Sequence, residues 1–200
     1  MLDVPAAYAT VLDDQWRQLA GAGEWLTGAQ RVEVARITRL ARQGASEMPA
    51  DPVGEAAWIF GGDPAAPRAS WVDRLEAAGL DRTTYVEILG ICARVAALDT
   101  FLYGLGRPER PLPEPVPGAP RLTRVAEAKI DGGFAPTVGP AYPPTALSAV
   151  PIELDAMMQL HGAMYLSLRE MADLEIVKDL DRRQLELVAA RTSLLNDCFF

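Results

Sequence analysis

The chain has 200 residues, half of them hydrophobic and 23% charged, which is ample for a buried core and excludes a wholly disordered chain. With 19 Lys and Arg against 27 Asp and Glu, the net charge of −8 argues against a broad nucleic-acid or anionic-membrane surface. Two cysteines cannot frame a disulfide scaffold, and a single histidine excludes a multi-histidine metal site built within the chain.

The start, Met1-Leu-Asp-Val-Pro, lacks the basic and apolar regions of a secretory signal. The most apolar stretch, Tyr85–Leu105, is interrupted by Glu87, Arg94 and Asp99 and reads as a core helix rather than a membrane span. The expectation is a cytoplasmic protein. Helical periodicity runs through Ala6–Leu19 and then Thr27–Arg42, where Thr27 is placed to cap and Val34, Ile37, Thr38 and Ala41 recur at helical spacing. Gly44 and Pro49 stop that helix. Trp71–Ala78 forms a short amphipathic helix closed by Gly79. Asp81 caps a longer helix with Tyr85, Ile88, Leu89, Cys92, Val95, Ala96 and Leu102 on its apolar face. Gly104, Gly106 and Pro108 end it, completing a first helical half over residues 1–106.

Residues 107–151 hold eleven of the sixteen prolines. Each proline removes a backbone donor and fixes φ, so the segment reads as an extended crossover wrapped over a surface. The second helical half, residues 152–200, begins with Ile152–Met171, where Leu154, Met157, Met158, His161, Tyr165 and Leu168 share a face. Asp181–Asn196 follows, opening on an Asp181…Gln184 arrangement like a capping box. No strand signal of comparable strength is present, so the expected fold class is all-α. A weak internal repeat relates Gln30-Arg-Val-Glu33 to Gln184-Leu-Glu186 once one residue is skipped.

The tail, Gln184-Leu-Glu-Leu-Val-Ala-Ala-Arg-Thr-Ser-Leu-Leu-Asn-Asp-Cys-Phe-Phe200, carries the most specific signal. It resembles the AhpD-like, carboxymuconolactone decarboxylase superfamily, whose members share a helix of the form E-L-V-x-x-R-x-S-x-L-N-x-C followed by x-x-C and a histidine. Glu186, Arg191, Ser193, Asn196 and Cys198 fall on that pattern. The stretch Tyr85–Gly106 and the Pro-rich Leu112–Gly118 are similar to the middle of two-repeat alkylhydroperoxidase-related proteins. The resemblance covers residues 25–106 loosely and 150–200 better. It implies an AhpD-like bundle of two related helical halves.

It also implies a thiol-dependent oxidoreductase that reduces small-molecule hydroperoxides. Only the thiolate attacks a peroxide, and a second thiol closes a disulfide on the sulfenic intermediate. The resemblance makes Cys198 the resolving thiol and Glu186, twelve residues before it, the proton relay. Arg191, Ser193, Asn196 and His161 are supporting candidates. Asn196-Asp197 is expected to end one helix and Cys198 to open the next, at the positive end of its dipole. The attacking thiol of the family pattern falls at position 201, one beyond Phe200, and the family histidine further on, so the expected site is cut short in this chain. No metal, flavin or nucleotide cofactor is required. A homo-oligomer and a dithiol reductant protein are the expected partners. Two alternatives stand beside this: a carboxymuconolactone-type decarboxylase, and a non-enzymatic helical assembly module.

Plainer roles compete for the same residues. Cys92 reads as core, and His161 as a core imidazole with a satisfied hydrogen bond. Asp99 lies on an apolar stripe and needs a partner, such as a loop or a helix end. Trp16, Trp25, Trp58 and Trp71 read as anchors of helix packing, and the acids Glu170–Asp181 as a solvated edge.

Overall fold

Local capping decides where most helices begin in the computed structural model, which describes residues 3–196 and 198. The helices are α1 Ala6–Ala20, α2 Gly28–Arg42, α3 Pro52–Gly62, α4 Ala69–Ala77, α5 Arg82–Gly104, α6 Pro151–Met164, α7 Leu168–Met171 and α8 Arg182–Leu195. At α2 the Thr27 hydroxyl accepts from the Gln30 amide while the Gln30 side chain accepts from the Thr27 amide. That reciprocal box satisfies two donors that a helix start leaves without intrahelical partners. Asp181 and Gln184 close the same box at α8. Asp81 accepts from the Thr83 amide at 2.8 Å to start α5. The predicted starts of α2, α5 and α8 agree with these caps.

Two expectations are corrected. The sequence reading left residues 52–62 without a helix, but Asp51 caps the Gly54 amide at 2.9 Å and Pro52 sets the first turn of α3. The predicted helix Ile152–Met171 is broken after Met164, because Ser167 and Glu170 form a capping box that starts a new helix, α7. The architecture is mostly helical. Beside the helices, the described residues contain a two-residue antiparallel ribbon, β1 Lys129–Ile130 with β2 Pro136–Thr137, and one 3₁₀ turn, Pro143–Thr145. No helix among the described residues is long and apolar enough to cross a membrane.

The chain divides into two units, residues 1–157 and 158–200. In the first, α2 packs against α1, α3 and α5, and α3 packs against α5. Leu19, Val34, Ala35, Ala56, Ala57, Val86, Ile88, Ile91 and Val95 form its apolar interior. Phe60, Trp71 and Tyr85 meet edge to face at one end, with centroids 5.1–6.2 Å apart. The crossover belongs to this unit and lies on its surface. The Val116 amide donates to the Ala20 carbonyl, Arg121 to Gly23, and Leu122 to Glu24. Trp16 Nε1 holds the Pro111 carbonyl at 2.7 Å, and Arg39 Nη1 holds that of Arg110 at 2.8 Å. Prolines cannot donate to a ladder, so carbonyls and the few free amides tie this segment down.

Residues 158–200 have little interior. Two cations do much of the organising. Lys178 Nζ donates to the carbonyls of Gly162 and Tyr165, both at 3.1 Å, at the end of α6. Arg182 Nη1 donates to those of Glu170, Met171 and Asp173, at the end of α7. Helix C-termini present carbonyls without partners and a negative dipole end, so cations suit them.

Two outcomes are expected. Leu122 holds φ at +58° and is 63% exposed. A left-handed conformation costs an L-residue about 1–2 kcal/mol, so Leu122→Gly raises the unfolding free energy measured by urea denaturation, by up to about 1 kcal/mol after the entropy of glycine is subtracted. In the smaller unit, the Ser167 amide and hydroxyl, then Lys178, hold the Glu170 carboxyl down to about 2 from an ordinary 4.5. A depressed carboxylate stabilises the fold above its unfolded pKa and loses that contribution as pH falls through the folded value. The Glu170 carboxyl carbon therefore titrates near pH 2 by NMR, and Lys178→Met and Ser167→Ala each move the midpoint upward.

Candidate functional site

Three helices bring ionisable side chains to one interior point of residues 1–157. Arg31 comes from α2, Glu87 and Arg94 from α5 two turns apart, and Glu153 from α6. All four are at most 2% exposed. Arg31 Nη1 lies 2.5 Å from Glu87 Oε1, and its Nη2 lies 2.8 Å from Glu153 Oε1. Arg94 Nη2 lies 2.6 Å from Glu153 Oε2. The Trp25 amide donates to Glu87 Oε2 at 2.7 Å. A Cβ at Gly23 would stand 1.9 Å from Glu87 Oε1, and one at Gly90 would stand 2.7 Å from the Glu153 Cβ. Both glycines are there because the carboxylates need the room.

The set holds two positive and two negative groups. Burial opposes the charge on Arg31, but Glu153 and Glu87 outweigh it and hold its pKa above the ordinary value. Burial pushes the Glu87 carboxyl upward against the pull of Arg31, and lowers Arg94 against that of Glu153. Cys92 sits nearby on α5, 3.0 Å from the Thr38 hydroxyl, and burial pushes its thiol up to about 12. It is a packed core thiol and supplies no nucleophile. Asp99 has found a partner of a kind the sequence reading did not name. Arg39 binds it through Nε and Nη2 at 2.8 and 2.7 Å, with the guanidinium 5.3 Å from the Trp16 ring.

The predicted site residues lie in residues 158–200. Tyr165 donates its hydroxyl proton to Glu186 Oε1 at 2.8 Å, and Arg182 Nη2 pairs with the same oxygen at 2.6 Å. Burial and then the Glu186 bond raise the Tyr165 pKa. His161 stands edge-on to the Tyr165 ring, centroids 5.3 Å apart, with Nδ1 against the Leu166 carbonyl. The structure thus gathers His161, Tyr165, Arg182 and Glu186, of which the sequence singled out His161 and Glu186. Such a group can take up and pass a proton between a phenol and a carboxylate.

Cys198 is not among them. At about 1.5 Å per residue, the α8 axis from Glu186 to Leu195 measures roughly 14 Å. Asn196 caps the C-terminus of α8 and its side chain bonds the Thr192 carbonyl. The Cys198 amide turns back to the Ser193 carbonyl at 2.9 Å. Cys198 therefore follows the carbonyl end of α8, and it is exposed. The helix it was expected to open, like Asp197, lies outside the described residues. Arg191 is exposed on α8, and Ser193 is half-buried with its carbonyl in the cap. Counted from their capping residues, Glu33 is the sixth position of α2 and Glu186 the fifth of α8, about 100° apart around the axis.

Among the described residues, no three His, Cys, Asp or Glu side chains gather as a metal site would require. The chain matches no family model, no curated protein and no solved structure.

Glu153 is the residue on which the interior cluster turns, since it alone meets both arginines. Breaking a buried pair by removing one charge typically costs about 3–5 kcal/mol, while replacing the whole set by apolar groups can be neutral. Glu153→Gln is expected to lower stability on that scale by urea denaturation, and Glu153→Met with Arg94→Met to recover part of it.

Proposed function

We propose that this chain belongs to a thiol-dependent oxidoreductase of the AhpD-like type, which reduces hydroperoxides with Cys198 as its resolving thiol. The observation that carries this reading is the contrast between the two cysteines. Cys92 is buried with its thiol pushed up to about 12, whereas Cys198 is exposed at the end of the helix bearing Glu186. Thiol chemistry by this chain therefore falls to Cys198. The resemblance of residues 184–198 to the E-L-V-x-x-R-x-S-x-L-N-x-C pattern supports it.

In that reading an attacking thiolate, which the family pattern places three residues after Cys198, takes the terminal oxygen of the peroxide. The O–O bond breaks, the alkoxide leaves with a proton, and the sulfur becomes a sulfenic acid. Cys198 attacks that sulfur, water leaves and a disulfide forms. A dithiol protein returns two electrons. Glu186, held by Tyr165 and Arg182, is the proton relay.

A second reading has its own support. The outward face of α8 is apolar, with Leu187, Val188, Leu194 and Leu195 each more than half exposed. Such a surface suits a helical assembly module that does no chemistry.

The two readings separate on thiol titration. Under hydroperoxide with a small-molecule thiol standing for the attacking cysteine, the oxidoreductase reading expects free thiol at Cys198 to be lost as a mixed disulfide, detected by maleimide labelling, with the loss abolished by Cys198→Ser and reversed by dithiothreitol. A Cys198 that stays fully labelled under that mixture removes the oxidoreductase reading.

A further inference from the structure

The outward side of α8 has a symmetry that its inward side lacks. The half-buried positions are Arg182, Leu185, Ala189 and Ser193. On the opposite side, Leu187 and Leu195 stand four residues either side of Arg191, and Val188 and Leu194 stand three residues either side. Their exposures are 70%, 75%, 58% and 74%. A surface helix normally turns such a stripe inward. Here it faces out and reads the same in both directions from Arg191.

We infer that α8 pairs with α8 of a second copy of this chain, antiparallel about a two-fold axis at Arg191. Leu187 then meets Leu195 of the partner subunit, and Val188 meets Leu194 of the partner subunit. Isologous contacts require such self-complementarity. The charges agree with the direction. Antiparallel helices align their dipoles head to tail, and the 94%-exposed Arg183 side chain reaches the partner's carbonyl end. The area is sufficient for a weak dimer. Four side chains at these exposures offer roughly 300 Å² of apolar surface per chain. At the usual apolar share of about 57%, two chains bury roughly 1,000 Å² in total, the lower bound of a specific interface.

Arg191 limits the affinity. Two guanidinium groups meet near the axis, their stems lying over the leucines and their heads turned to water. The same pairing sets Cys198 opposite Gln184 of the partner subunit. Glu186 is five residues before Arg191, about 140° around the axis, and stays on the inward side with Tyr165. The dimer rests on the stripe alone and is independent of the thiol-dependent reading above.

The test is association of the full chain. Sedimentation over a concentration series is expected to show a micromolar monomer–dimer equilibrium that tightens as salt screens the arginines. Arg191→Leu is expected to lower the dissociation constant at least fivefold and remove most of that salt dependence. Leu194→Arg is expected to abolish association while leaving the circular dichroism unchanged. In a Cys198→Ser background, Arg191→Cys is expected to cross-link to itself with a short bismaleimide, and Glu175→Cys is not. A chain that stays monomeric, or associates equally well with Leu194→Arg, overturns the proposal and leaves the stripe to a different protein. Cross-linking at position 191 with a peroxide-inert Cys198 keeps the dimer and removes the thiol reading. A peroxide-sensitive Cys198 in a monomer does the reverse.

Discussion

The interior of residues 1–157 is organised around charges that have no route to water. Arg31, Glu87, Arg94 and Glu153 are almost wholly buried, and a charge taken from water must be matched by a partner at contact distance. The apolar side chains of α2 and α5 would tolerate several relative rotations, because burial is non-directional. The ion pairs would not. Turning α2 by one residue moves Arg31 about 100° around its axis and leaves Glu87 and Glu153 without it. The cluster thus fixes the register of α2, α5 and the start of α6. Gly23 and Gly90 record that constraint in sequence, since any Cβ at either position would strike a carboxylate.

Features set within four residues were legible in the sequence. Thr27, Asp81 and Asp181 announce their helices by chemistry that acts over a single turn. The crossover was legible for the same reason, since each proline forbids a local conformation. The missed helix α3 was hidden because Gly54, Gly61 and Gly62 weaken its propensity, and packing on α2 and α5 restores it. The overlong α6 prediction followed apolar periodicity across Ser167 and passed over a local cap. The ion cluster needed information from positions 31, 87, 94 and 153, which no local pattern joins. Its one trace was the spacing of Glu87 and Arg94, seven residues apart in the most apolar stretch of the chain.

Residues 158–200 follow a different logic. Lys178 and Arg182 hold the carbonyl ends of α6 and α7, so the unit is fastened by directional bonds at its corners. A helix held in this way need not present an apolar face inward. That explains how α8 can exist with its leucines outward: Asp181 and Gln184 start it, Arg182 anchors its first turn, and Asn196 finishes it. The sequence located Glu186 and Cys198 but not the distance between them, because their spacing of twelve residues was read as proximity. In a straight helix it means separation.

That separation decides what chemistry a single copy can perform. A carboxylate relays a proton only to a group within hydrogen-bond reach, directly or through one water, and the α8 axis between Glu186 and the capping turn is roughly 14 Å long. The Glu186 carboxylate is already engaged by Tyr165 and Arg182, so its orientation is set before any thiol arrives. An acid held at one end of a helix and an exposed thiol beyond the other therefore share no proton within one copy. The two also differ in direction, since Glu186 lies about 140° around α8 from Arg191 and faces Tyr165, so reversing the ends with a second α8 across the exposed stripe would bring them level along the axis but leave the helix between them.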